Sequence, residues 1–364
     1  MTKDNNHKIK EKKKDNDKIS KEDIKTIQDS LEKTAKHDIK EYKKHQKKLE
    51  AEEKRKKKLE EQNKKEKEEL ENLKLPTEEE KKTEKGKTKK KIKLVIFTIL
   101  VLIGLFFWSR FVSTSGLVVK EYAIKTNELS SAYDGFKIVH FSDIHYGTLV
   151  HGGELEHLVE TINKQSPDIV VFTGDLIDSS IILSDEEINY ISGVLAGINP
   201  KIETIAVIGN NDHTHDYFVK ITNNLDWIIL NNKYEYVYNN DTTPLIFVGF
   251  DDLTSGRPDY NNAFSFLNEV EQSYTILLMH EPDQVDQIGD YKYNLVLAGH
   301  SMLGAVRVPF LGALYKPKGA RKYVDEKYNL ENAEMYISGG VGTSTFKHRF
   351  LNKPSINLYR FYTE

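Results

Sequence analysis

Five short segments carry side chains suited to binding divalent cations: Ser142-Asp143-Ile144-His145, Gly174-Asp175-Leu176-Ile177-Asp178, Gly209-Asn210, Met279-His280 and Gly299-His300-Ser301. Carboxylate oxygen, imidazole nitrogen and a carboxamide oxygen suit hard and borderline metals. Asp143 and His145 stand two apart, so in an extended segment their side chains project the same way and can share one ion. Asp175 follows a glycine that lets the backbone turn sharply, and its carboxylate can lie between two cations. Asn210 offers a neutral oxygen, and His280 and His300 offer nitrogens. Each residue alone is more often structural than functional. Together they carry weight, because converging His and Asp side chains are costly to desolvate without a bound ion. The chemistry this set would do is hydrolysis with two metals.

The elements that must position these residues are strands. Gly135–Phe141 runs into the first segment, Asp168–Phe172 into the second and Thr204–Ile208 into the third. Tyr274–Leu278 and Leu295–Leu297 precede His280 and His300, and Leu245–Val248, Glu334–Ile337 and Ile356–Phe361 read as further strands. Helical text lies at Leu155–Gln165 and around 185–197. Candidate ligands therefore sit at the C-terminal ends of strands, where an open α/β sheet places its site. Residues 117–364 read as one α/β domain.

Composition divides the chain differently. Residues 1–93 hold 33 Lys+Arg against 23 Asp+Glu and the remainder 20 against 33, so the net charge of −3 conceals two opposed halves. Cysteine is absent, which excludes disulfides and thiolate metal sites. Residues 94–112 are almost uniformly apolar and long enough, at about 1.5 Å per residue, to cross a bilayer core as one helix; a buried core helix would seldom be so uniform. Lysines crowd its N-terminal side and few follow it. The positive-inside rule then places residues 1–93 in the cytoplasm and the following domain outside the cell membrane, as a single-pass protein. The 1–93 arm reads as solvated and partly helical, with a short coiled coil around 20–45 as the sharper alternative. The basic stretch 81–93 suits anionic lipid heads. Nucleic acid is not an expected partner, since no aromatic side chains interleave the basic residues.

With these motifs assembled, residues 117–364 resemble the calcineurin-like metallophosphoesterases, in the bacterial branch with one N-terminal span. Gly249-Phe250-Asp251-Asp252, Val306–Ala313 and Gly340-Val341-Gly342-Thr343-Ser344 add to the likeness. The resemblance implies a four-layer α/β/β/α sandwich of two mixed sheets and a site for two ions, Mn, Fe or Zn, with Mn the first choice. It implies that Asp143 and His145 hold the first ion, that Asp175 bridges, and that Asn210, His280 and His300 hold the second. Arg307 is the first candidate for neutralising charge on phosphate, and Arg257 a weaker one.

Three departures from the family pattern matter. Asn211 stands where a histidine usually acts on the leaving group, Met302 where a histidine usually completes the first metal's ligands, and Leu303 and Ala305 replace a small residue and a glutamine. Asn211 can donate a hydrogen bond to phosphate but cannot deliver a proton. His213 and His215 lie near in sequence, although surface histidines are the plainer reading of both. The leading expectation is a membrane-anchored phosphoesterase acting on a phosphodiester or pyrophosphate of a phosphorylated small molecule or lipid-linked envelope substrate. A different class, a degenerate module that binds one metal or a phosphorylated ligand without turnover, is favoured by Asn211 and Met302. A third reading makes the cytoplasmic arm the functional part; an unchanged phenotype on deletion of residues 1–80 would count against it.

Overall fold

The computed structural model describes residues 54–68, 78–268, 273–344 and 346–363, in two units divided between Leu94 and Val95. The expected coiled coil at 20–45 lies outside the described residues. Residues 54–68 are helical and exposed. Helix α1 (Glu78–Phe107) runs on through a π-type turn, Trp108–Val112, closed by the Ser113 N–H donating to the Trp108 carbonyl at 2.9 Å. It is long and apolar enough to cross a membrane, and its apolar window is unburied.

In chain order the strands are β1 (Val118–Thr126), β2 (Lys137–Phe141), β3 (Ile169–Thr173), β4 (Glu203–Val207), β5 (Trp227–Ile229), β6 (Lys233–Val237), β7 (Leu245–Gly249), β8 (Thr275–Met279), β9 (Leu295–Ala298), β10 (Arg307–Val308), β11 (Gly312–Ala313), β12 (Lys327–Asn329), β13 (Glu334–Ile337) and β14 (Ser355–Thr363). Helices α2 (Gly152–Lys164), α3 (Asp185–Leu195), α4 (Tyr217–Thr222) and the short α5 (Tyr260–Ala263) lie between them. One six-stranded sheet has the order β1-β14-β2-β3-β4-β5 and the other β12-β13-β9-β8-β7-β6, with β10-β11 a separate hairpin. Strands β2 to β5 are mutually parallel, as are β7, β8, β9 and β13; β14 runs antiparallel to β2. Both sheets are therefore mixed.

Runs that are apolar at every position belong to strands covered on both faces. On β3, Ile169 and Val171 face the second sheet and pack in one core with Phe247, Ile276, Leu278 and Leu297. Val170 and Phe172 face the opposite way, against Leu155, Leu158 and Ile162 of α2, Ile191 and Leu195 of α3 and Phe218 of α4. Helix α3 starts on a capping box: the Glu187 N–H donates to Ser184 Oγ at 3.3 Å, and the Ser184 N–H donates to Glu187 Oε2 at 2.8 Å. The outer face of the second sheet has a thinner cover of α5 and 3-10 turns at Ser265–Asn268 and Pro282–Gln287, which bury Phe250, Phe264, Phe266 and Val285 against it. The layers are helix, sheet, sheet and short helix. Strands β2, β3, β4, β8 and β9, which lead into the candidate ligands, point their C-terminal ends to one edge of this sandwich.

Candidate metal centre

Where β2 ends, the chain passes through Ser142 into Asp143, and where β3 ends it passes through Gly174 into Asp175. The two loops run side by side: the Asp143 N–H donates to the Gly174 carbonyl at 2.9 Å and the His145 N–H to the Asp175 carbonyl at 3.1 Å. The expectation of an extended Asp143-x-His145 segment is corrected here. Both residues have left-handed backbones, φ 51° and 44°, as do Asp175 at 63° and His300 at 62°. Pairing with the Asp175 loop curls the segment, and the side chains still meet, His145 Nε2 lying 3.8 Å from Asp143 Oδ1 and 3.5 Å from Asp175 Oδ2. Gly174, at φ 90°, cannot be larger: a Cβ would lie 2.5 Å from the Gly209 nitrogen and 2.8 Å from His280 Nδ1. The loops after β3 and β4 and the end of β8 are thereby pressed together.

The second cluster forms around the same carboxylate. His280 Nε2 lies 3.3 Å from Asp175 Oδ2, 3.2 Å from Asn210 Oδ1 and 3.2 Å from His300 Nδ1. Carbonyl oxygens fix the far side of each ring, because a carbonyl only accepts. His280 Nδ1 donates to Thr173 O at 2.6 Å and His300 Nε2 donates to Lys318 O at 2.8 Å. The nitrogens left facing the cluster, with the oxygens of Asp175 and Asn210, are a set of lone pairs that require a cation or a proton among them. Two groups could hold an ion, Asp143 with His145 and Asp175, and Asp175 with His280 and His300, and Asp175 belongs to both. Asp143 Oδ1 gives a second indication. Its partner oxygen Oδ2 accepts from the His300 N–H at 3.0 Å and from Ser142 Oγ, while Oδ1 is buried with no hydrogen-bond partner. These donor atoms fit divalent ions.

Electrostatics agree with that fit. Burial opposes charge on His145, yet Asp143, Asp178 and Asp175 lift its imidazole to about 10. His280 is likewise burdened by burial but raised well above the usual histidine range by Asp175 and Asp143. Burial and the neighbouring His280 hold His300 low. The carboxylates thus demand positive charge, which protons supply when metal does not.

Around the centre lie groups that sequence alone did not assign. Asp212 is buried and accepts from the N–H groups of Asp175 at 2.8 Å, Leu176 at 2.8 Å and Gly209 at 3.0 Å; burial and the Asp175 charge push its carboxyl up to about 7. Asp178 Oδ2 stands 3.5 Å from His145 Nδ1, within ion-pair reach though not aligned as a hydrogen bond. Arg349, fully buried, donates to the carbonyls of Gly339, Gly340 and Gly342 at 2.8, 3.0 and 2.6 Å. The Gly342 N–H in turn donates to the Asp143 carbonyl at 2.7 Å. The second carboxylate of Gly174–Asp178 and the acid two places after Asn210 were the available signals. Arg349 had none.

Asn211 donates twice to Asp175, from its backbone at 2.8 Å and its carboxamide at 2.6 Å, and accepts from the Ser179 N–H at 3.1 Å. Met302 lies beside the first cluster: a Cβ on Gly340 would touch both its Cγ, at 2.7 Å, and Asp143 Cβ, at 3.0 Å. Arg307 does not line the cavity over the site. Its guanidinium donates to Leu303 O at 2.7 Å and pairs with Asp325 at 2.6 Å. His213 pairs with Asp251 at 3.0 Å and His215 reaches Ser179 O at 3.3 Å; neither lines the cavity over the site. That cavity, about 570 Å³, is lined by His145, Asp175, Asn210 and His300 and also by Leu314, Tyr315, Phe346 and Phe106.

Residues 136–304 match the family model of the calcineurin-like phosphoesterases. The chain is 30% identical over 256 residues to the metallophosphoesterase YkuE of Bacillus subtilis, which covers 69% of this chain and 88% of that one. It is 28% identical over 272 residues to a metallophosphoesterase of Aquifex aeolicus, with 71% and 95% covered. It is also 24% identical over 283 residues to the UDP-2,3-diacylglucosamine pyrophosphatase LpxG of Chlamydia trachomatis, with 62% and 83% covered.

Proposed function

The chain belongs to the calcineurin-like phosphoesterase family and is a phosphoester hydrolase, and from that premise we propose a membrane-anchored, metal-dependent enzyme that cleaves a phosphodiester or pyrophosphate bond of an envelope or lipid-linked substrate. The observation that carries the proposal is the sharing of Asp175 between two groups of candidate ligands, the arrangement a two-metal clamp needs. Asp143, His145 and Asp175 would hold one ion, and Asp175, Asn210, His280 and His300 the other. Such ions, manganese first among them, would supply Lewis acidity towards phosphate oxygens and make water acidic enough to react near neutral pH.

The chain's own residues do the rest. His280 and His300 are held in one tautomer by Thr173 and Lys318, so no rotation is needed when a ligand arrives. Asn211 keeps both Asp175 oxygens oriented and has no proton to release. The leaving group must therefore depart largely unprotonated by the protein, which favours aryl and pyrophosphate leaving groups. Pyrophosphatase activity in the relative LpxG supports the same bond class. The apolar helix α1 supports anchoring at residues 94–112, with the lysines of 81–93 against anionic lipid in the cytoplasm and the catalytic domain outside.

The test is hydrolysis of an activated aryl phosphodiester by the detergent-solubilised chain, titrated with Mn²⁺ beside Asp175→Asn. Activity should saturate with metal and vanish in the variant. Absence of turnover from a folded, Mn²⁺-loaded chain would favour the binding-module reading, for which Met302 beside the first cluster is the specific observation.

A further inference from the structure

The hairpin β10–β11 turns through Phe310, whose backbone is left-handed at φ 68° and whose ring stands wholly in solvent, followed by Leu311 at 77% exposure. Leu314, Tyr315, Phe346 and Leu351 are each 61% exposed. These six side chains come from two segments that are bonded together. The Arg307 N–H donates to Phe350 O at 3.0 Å, the Phe350 N–H donates to Ala305 O at 3.0 Å, and the Tyr315 and Phe346 rings meet edge-on at 6.2 Å. They make one apolar rim. Single exposed hydrophobic residues need no explanation, but a contiguous group on a soluble face does.

The position of the rim indicates what covers it. Between Phe346 and Leu351 the chain grips the end of the apolar helix. The Arg349 N–H donates to Ser109 O at 3.0 Å, Ser109 Oγ lies 3.0 Å from His348 Nδ1, and the Phe106 ring lies 4.8 Å from the His348 ring. Phe107, Trp108 and Phe111, exposed at this end of the helix, continue the apolar surface. Lys316, Lys318, Lys347 and Lys353, all exposed, alternate with the rim residues along the same two segments. Apolar side chains interspersed with lysines suit the boundary between acyl chains and anionic headgroups.

We infer that this rim is a second membrane contact, with Phe310 and Leu311 entering the bilayer beside the span. The inference rests on the reading of 94–112 as a span. Its occupant is the anionic phospholipid bilayer. The consequence for the site is direct, because the exposed Leu314, Tyr315 and Phe346 belong to the rim and also line the cavity that the buried His145 and Asp175 line, with Asn210 and His300. A docked rim sets the mouth of the cavity on the lipid surface. The substrate class it fits is a phosphoester whose headgroup rises into the cavity while its apolar part stays in the leaflet.

The absence of cysteine gives a clean test on the full chain. Leu311→Cys, Phe97→Cys in the span, and Glu331→Cys, in the turn before β13 at the end remote from the site, each carry one environment-sensitive fluorophore. The labelled chains are reconstituted into phosphatidylglycerol-containing vesicles with spin-labelled lipid. The Leu311 probe should emit at shorter wavelength and be quenched several-fold more than the Glu331 probe. Water-like emission at Leu311 with quenching at Phe97 overturns the rim contact and leaves the span intact. No quenching at either site overturns both. A blue shift at Leu311 without lipid quenching means that protein covers the rim, such as a second copy of the chain, and also overturns it.

Discussion

The Asp175 carboxylate accepts two hydrogen bonds from Asn211 while its Oδ2 faces His145 and His280, so it is oriented before any cation arrives. That rigidity carries a cost. Left-handed backbones at Asp143, His145, Asp175 and His300 are sparsely populated for residues with a Cβ, at about 1–3 kcal/mol each. Met302, Leu303 and Ala305 add φ values of 43°, 52° and 40°. Asp212 offsets part of this by collecting three N–H groups from the loops after β3 and β4. An amide there would set its own N–H₂ against those donors. Asp212→Asn should therefore weaken Mn²⁺ binding by about 10–100-fold, read by calorimetric titration; unchanged affinity would show that Asp212 does not support the centre. Asn211 leads to a second expectation. Metal-saturated turnover of nitrophenyl phosphodiesters should exceed that of simple alkyl esters by about 10²–10⁴ beyond the family pattern, the size of a missing general acid. Similar rates on both would sink the assignment. The candidate ligands were legible because strand ends are legible: a short apolar run followed by Asp, Asn or His marks an address. Asp212 and Arg349 were not, since their meaning lies in backbone groups they meet only after folding. The pairing of Arg307 with Asp325 was not legible for the same reason, Asp325 being its neighbour only in space.

At the scale of elements, the sheet that carries Asp143 and Asp175 holds a buried polar chain of its own. His140 on β2 lies 2.8 Å from Thr173 Oγ1 at the end of β3 and 3.3 Å from the Tyr359 hydroxyl on β14, which accepts from Asn357 Nδ2 at 2.9 Å. Burial pushes the His140 imidazole down to about 3. The fold therefore holds it neutral, whereas the unfolded chain protonates near 6.5. The stability this contributes is present above about pH 6.5 and is lost as pH falls towards 3. His140→Gln, which cannot titrate, should be less stable than the parent near neutrality, and the gap in Tm should narrow on going from about pH 7 to about pH 4. A gap independent of pH would mean that His140 is not held neutral. Sequence reading found β2 and β3 from their apolar runs and β14 from its alternating pattern but gave no order among them. The insertion of β14 between β1 and β2 depends on nine paired positions, Val118↔Ser355 to Thr126↔Thr363, joining chain segments more than two hundred residues apart. No local pattern encodes such a pairing.

For the whole molecule, the end of the apolar helix and the wall of the cavity are one structure. Phe106 and Ser109 line the cavity, and Ser109 is bonded to His348 and Arg349. A flexible tether would let a catalytic domain sweep a hemisphere of solvent. Here only residues 113–117 separate the helix end from β1, with the Ser113 N–H bonded back to Trp108 O at one side and the Val118 N–H to Pro354 O at the other. Under the proposed anchoring, encounter becomes a two-dimensional problem, and the relevant concentration is the mole fraction of substrate in the leaflet. Diluting a lipid phosphoester with inert lipid inside the same vesicle should slow turnover in proportion, while diluting the vesicles in buffer should leave it unchanged. Dependence on bulk concentration would show a site that samples solvent. An enzyme held in this way is a sensor of local composition: it ignores how much substrate the cell contains and responds to how crowded the patch of membrane around it has become.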